Sequence, residues 1–172
     1  MTRPEENKSD AKQGGLFGGA DELYREVILD HFKSPRNRGR IEGAPIKAEG
    51  VNPFCGDQIA ITALLEGDKI KDVKFEGRGC AISQSSASMM TSLIKGKSVK
   101  EAEAFTRFLT SIFGVELPED EKQPLGQNHP FSHNDLGDLE ALEGVKKYPV
   151  RIKCALLAWN TLLESLKNLH GK

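Results

Sequence analysis

Three cysteines and one aspartate are the residues best able to do chemistry in this chain. Cys55, Cys80 and Cys154 lie far apart in sequence, and an odd count leaves at least one thiol unpaired in any disulfide scheme. No Cys-x-x-Cys pair is present, so spacing alone does not establish a metal site. Asp57 stands two residues after Cys55 and shares its parity with Ile59, Ile61, Ala63 and Leu65, which places it on the apolar face of a strand. A carboxylate facing a core is costly unless a cation or a set of donors holds it. Two readings stay open: a cation ligand, or the start of a strand in a solvated Cys-Gly-Asp turn.

Cys80 follows Glu76-Gly-Arg-Gly79 and stands immediately before a helical run, where free backbone N–H groups and the helix dipole favour a thiolate over a thiol. Gly77 and Gly79 either let the backbone approach a ligand closely or simply make a strand-to-helix turn. Cys154 lies in the first turns of the last helical run, behind Arg151 and Lys153, and alone reads first as a small core residue and second as a ligand. Were the fold to gather the three thiolates with Asp57, the set would suit tetrahedral Zn²⁺ with a formal charge of about −2. Arg78, Arg151 and Lys153 lie within three residues of these positions, where such a charge calls for cations.

The histidines are weaker candidates. His129 and His133 form an i, i+4 pair, but Pro130 between them argues against the regular helix that would aim both at one metal, so both read as surface residues. His31 reads as an amphipathic position on the first helix and His170 as part of a fraying end. A Cys/His peptidase therefore finds no convincing base.

Elements far apart in the chain must position these groups. Residues 1–20 have almost no apolar periodicity and read as a flexible tail. From a possible cap at Asp21, the residues Leu23, Tyr24, Val27, Ile28 and His31 recur at helical spacing until Ser34-Pro35 stops the run. Gln58–Leu65 and Ile70–Phe75 read as strands around a Glu66–Lys69 turn, within a small three-stranded antiparallel sheet. Helical spacing returns over Ala81–Lys95 and Ser98–Phe113, and a long helix runs from Pro149 to about Leu169 with Ile152, Leu156, Trp159, Leu163 and Leu166 in one stripe. Residues 114–148, rich in Pro and Gly, read as an insertion or mobile loop with a helical patch near Leu136–Leu142. The expected fold is α+β, a single domain over 21–172.

Bulk properties narrow the function. With 172 residues, 38% hydrophobic and 28% charged, the chain has the make-up of one soluble domain able to bury a core without disulfides. A net charge of −1 offers no basic field for nucleic acid or an anionic membrane. No apolar run approaches the roughly 18 residues of a span, and the N-terminus lacks the apolar core of a secretory signal, so a cytoplasmic protein is expected. In a reducing compartment the cysteines point to metal binding or thiol chemistry.

Several separated motifs carry a family resemblance: Asn52-Pro-Phe-Cys-Gly-Asp57, Gly77-Arg-Gly-Cys-Ala-Ile-Ser83 with Ala87-Ser-Met-Met90, and Arg151-Ile-Lys-Cys-Ala155 with Leu157-Ala-Trp159. Together with the opening Leu23–Asn37, they resemble the IscU/SufU family (NifU N-terminal-like) of iron–sulfur cluster assembly over roughly Leu23 to Leu166. That family contains IscU-type scaffolds on which clusters are built and SufU-type zinc-dependent sulfurtransferases that serve the cysteine desulfurase SufS. An IscU-type scaffold typically has His immediately before the third cysteine, where this chain has Lys153. It also carries a Leu-Pro-Pro-Val-Lys chaperone motif, where this chain reads Glu143-Gly-Val-Lys-Lys-Tyr-Pro-Val150. The Cys80–Cys154 segment is also longer than in IscU. The resemblance thus implies the SufU type: Cys55, Asp57, Cys80 and Cys154 as Zn²⁺ ligands, Cys55 as the acceptor of persulfide sulfur from a SufS-type desulfurase, and a downstream scaffold as a further partner. In this family a histidine of the desulfurase is thought to replace the acceptor cysteine on zinc. The alternative is an iron–sulfur scaffold; a third reading is a zinc site that only holds the fold.

Overall fold

The structure, a computed structural model, describes residues 22–119 and 131–170. Helix α1 spans Glu22–Lys33, with Glu22 in its first turn and His31 and Lys33 in its last, the charge order that complements the helix dipole. The proposed Asp21 cap lies outside the described residues. Strands β1 (Ile46–Asn52), β2 (Asp57–Glu66) and β3 (Lys69–Arg78) form an antiparallel sheet in the order β1-β2-β3. The expected α+β architecture is the one observed.

The alternation read at Asp57 holds through most of β2. Asp57, Ile59, Ile61 and Ala63 are all buried, while Leu65, past an irregularity between Leu64 and Leu65, is only partly so. Helix α2 (Ala81–Ile94) follows β3 after two residues, and α3 (Val99–Ile112) starts from a reciprocal cap in which Glu101 N–H donates to Ser98 Oγ and Ser98 N–H to Glu101 Oε2.

The 22-residue helix α4, Pro149–His170, closes the molecule over the sheet. It lies so close to β1 that a Cβ on Gly50 would meet Thr161 Oγ1 at 2.0 Å. Trp159 is fully buried, and its indole N–H donates to Ser86 Oγ at 3.2 Å, which ties α4 to α2. Among the described residues no helix is long and apolar enough to cross a membrane.

The region read as an insertion has more structure than expected. A 3₁₀ segment covers His133–Lys147, broken at Gly137 (φ 53°), and buries Leu136, Leu139, Ala141, Leu142 and Val145. Its fastening is tertiary. His31, read as an amphipathic position of the first helix, is buried, and its ring lies 2.7 Å from Ser88 Oγ through Nδ1 and 2.7 Å from Asp138 Oδ2 through Nε2. The Tyr24 hydroxyl donates to Glu140 Oε1 at 3.1 Å. These contacts join α1, α2 and the 3₁₀ segment.

Candidate metal centre

Three pieces of chain meet at one end of the sheet. The first is the turn of residues 53–56 between β1 and β2, whose ends are fixed because Asn52 and Asp57 are directly paired across the strands. Gly56 adopts φ +70°, which favours glycine, and its N–H closes the turn on Asn52 O at 2.8 Å. Cys55 is half-buried on this turn.

The second piece is the junction of β3 and α2. Cys80 is the N-cap of α2, its sulfur accepting the Ser83 N–H at 3.5 Å. Asp57 is fully buried beneath it: Oδ1 accepts the Cys80 N–H at 2.8 Å, and the Cys80 thiol approaches Oδ2 at 3.7 Å. Gly79 makes this possible. Its φ is +152°, and a Cβ there would stand 2.2 Å from Asp57 Oδ1. Of the two readings for this glycine, close approach to a functional group therefore applies.

The third piece is the start of α4, which delivers Cys154 fully buried. Its sulfur lies 3.4 Å from that of Cys55 and accepts Asn52 Nδ2–H at 3.4 Å, while Asn52 Oδ1 accepts the Phe54 N–H at 3.2 Å. The donor atoms of Cys55, Asp57 and Cys154 all lie within 4.8 Å of one another. Cys80 adjoins this group through Asp57.

The electrostatics ask for a cation. A carboxylate offers about four lone-pair sites, yet among the described residues Asp57 is met by one backbone N–H and by cysteine sulfur. Burial, first, and then the neighbouring Asp57, Cys55 and Cys80 push the Cys154 thiol well above its ordinary value. Arg151 lies beside the sulfurs: burial alone would lower its guanidinium, but Cys80, Cys154 and Cys55 outweigh that and raise it. Lys153 turns elsewhere, its ammonium 4.4 Å from the centre of the Phe54 ring. Arg78 is exposed at the end of β3. A set of three sulfurs and one carboxylate, with Asp57 and Cys154 fully buried, fits a thiolate-binding metal ion of tetrahedral preference.

Asn52 escaped the reading of residue types, since an amide offers no metal or nucleophilic signal; the usable hint was a polar residue in phase with Ile46 and Ala48 on the buried side of β1. His133 does not join the site but pairs with Glu143, and His129 lies outside the described residues.

Fold and site together define a known class of protein. The family described as the NifU-like N terminal domain matches residues 23–155, and this chain belongs to it. The zinc-dependent sulfurtransferase SufU of Bacillus subtilis (strain 168) is 44% identical over 151 residues, covering 88% of this chain and 94% of that protein. The iron–sulfur cluster assembly scaffold protein IscU of Streptococcus pyogenes serotype M1 is 43% identical over 145 residues, covering 84% of this chain and 83% of that one. Among solved structures, a SufU of the thermophile Fervidobacterium islandicum AW-1, described as a cluster assembly scaffold protein for the SUF system, superposes with a TM-score of 0.67 at 39% identity, covering 86% of this chain and 99% of that chain.

Proposed function

We propose that this chain is a zinc-dependent sulfurtransferase of iron–sulfur cluster assembly, in which Cys55 accepts persulfide sulfur from a SufS-type cysteine desulfurase in the cytoplasm. Cys55, Asp57, Cys80 and Cys154 would hold the Zn²⁺, which when bound keeps cysteine sulfur ionised near neutral pH without redox chemistry of its own. The observation that carries this reading is the placement of Cys55: it sits half-buried on a short turn, whereas Cys154 is fully buried and Cys80, also half-buried, is fixed as the N-cap of α2 against Asp57.

The transfer is a thiol–disulfide-type exchange. The Cys55 thiolate attacks the outer sulfur of the desulfurase persulfide; a new S–S bond forms at Cys55, the old S–S bond breaks, and the desulfurase cysteine leaves as a thiolate. No net electrons are gained or lost. The Cys55 persulfide is then passed to a downstream scaffold. Arg151, beside the sulfurs, offsets the negative charge that accumulates there. Neither nucleic acid nor a membrane has a part in this scheme.

The scaffold reading has in its favour the similarity to proteins named IscU and to the Fervidobacterium SufU described as a scaffold. Against it stands Lys153, whose ammonium lies on Phe54 and which offers a strongly hydrated cation, not a metal ligand. Metal analysis followed by desulfurase turnover of cysteine, with no addition, wild-type chain or Cys55→Ser, separates the readings. One zinc per chain and stimulation that depends on Cys55 support sulfur transfer. Bound iron with labile sulfide and no stimulation would make the scaffold the function. Loss of folding in Cys55→Ser ahead of any loss of sulfur acceptance would mark a structural zinc.

A further inference from the structure

We infer that Lys153 is a positioning residue: its ammonium, seated on the Phe54 ring, clasps the Cys55 turn against α4 and sets how readily Cys55 leaves the buried thiols. The consequence for sulfur transfer rests on the function proposed above; the clasp itself does not.

The argument starts from adjacency. Phe54 immediately precedes Cys55, and Lys153 immediately precedes Cys154. One contact between their side chains, 4.4 Å from Nζ to ring centre, therefore ties the two cysteine-bearing stretches one residue away from each sulfur. Two fastenings hold the turn, and they differ in kind. The inner one is Asn52, buried at the end of β1, which donates to Cys154 Sγ and accepts from Phe54 N–H. Asn52 is itself held by the β1–β2 ladder, so this fastening moves only with the sheet.

The outer fastening acts on the tip of the turn. Phe54 is 72% exposed, so little apolar packing secures its ring. A Cβ on Gly56 would find nothing within 4 Å, so that side of the tip is open. The backbone bond that holds Cys55 itself, from its N–H to Asn52 O, is long at 3.3 Å. An exposed cation–π contact is weak enough for an approaching partner to displace, yet strong enough to bias the turn toward its closed position by about 2- to 5-fold. Lys153 at this place is thus a gate on the reactive sulfur and not a ligand.

Iodoacetamide alkylation of the zinc-loaded protein, with the Cys55 and Cys80 peptides quantified separately by mass spectrometry, tests the clasp without any desulfurase. Lys153→Met and Phe54→Leu should each raise the Cys55 rate by about 2- to 5-fold. The double variant should match either single, because both break one contact. Lys153→Arg and Phe54→Tyr should stay at the wild-type rate, and Cys80 labelling, zinc per chain and Tm should not move. Unchanged Cys55 rates in both single variants, additive effects in the double, or rate gains that track zinc loss and a lower Tm would overturn the proposal. A wild-type chain that takes no sulfur from a desulfurase, yet shows this labelling pattern, would refute the transfer function and leave the clasp standing.

Discussion

Asp57 and Cys80 lie where a sheet meets a helix, locked by a backbone hydrogen bond and a glycine that nothing larger can replace, whereas Cys55 rides on a four-residue turn with open space beside Gly56. Cys154 matches Asp57 in burial and lies against Cys55 by distance. Under the proposed transfer the contrast is a division of labour. The groups that hold the metal are fixed by regular structure, and the sulfur that meets the desulfurase sits on a short turn with open space beside it.

Glycine substitutions probe that division most strongly. Gly79→Ala forces a Cβ to within 2.2 Å of Asp57 Oδ1 at φ +152°, adding a clash to backbone strain of about 1–3 kcal/mol. The expected outcome is little folded, zinc-loaded protein, read by Tm and metal analysis. Gly56→Ala, with nothing within 4 Å of the new Cβ, should cost about 1–2 kcal/mol for its left-handed backbone and keep its zinc. Equal losses at the two glycines would erase the distinction between the halves.

Asn52→Ala removes the N–H donor to Cys154 and the acceptor of Phe54 N–H together. Metal affinity should fall by roughly 10- to 100-fold, as for other partners of ligands, measured by competition with a chromophoric chelator. Asn52→Asp should not rescue it, since a carboxylate cannot donate to sulfur.

A pH effect follows from the buried Cys154 thiol. The Cys154 thiol is raised in the folded, metal-free chain above the ordinary value of 9.0, so above that pH the unfolded state has lost a proton that the folded state still holds. Stability of the chelated protein should then decline as pH rises beyond about 9, because unfolding releases the proton. Thermal melts from pH 7 to 10 check this, and the decline should be smaller in Cys154→Ala.

Much of the rigid half was legible in the sequence. Asp57 announced itself through parity with Ile59, Ile61 and Ala63, and Cys80 through its place between glycines and a helical run; both inferences need only local periodicity. The closeness of Cys154 to Cys55, 99 residues apart, is tertiary, so only the ordered motifs of the family pointed to it. The partners of His31 and the full extent of the 3₁₀ segment, of which only the patch near Leu136–Leu142 was read, were hidden for the same reason. The burial of His31 depends on Ser88 and Asp138 from distant elements, and His133–Lys147 is shaped by what it packs against more than by its own repeat. Asn52 and the Lys153–Phe54 contact join residues whose types carry no signal until the fold brings them together.

The smallest expected change in stability accompanies the largest in chemistry. Cys55→Ser alters one atom on an open turn and should lower Tm less than Cys154→Ser, while abolishing sulfur acceptance. The most direct test of the central claim is to trap the chain with an alkylating agent after incubation with a SufS-type desulfurase and cysteine, then map the sulfur by mass spectrometry. The account predicts one added sulfur on Cys55 and none on Cys80 or Cys154. Sulfur on Cys80 or Cys154 with Cys55 unmodified, or no added sulfur at all, would contradict it.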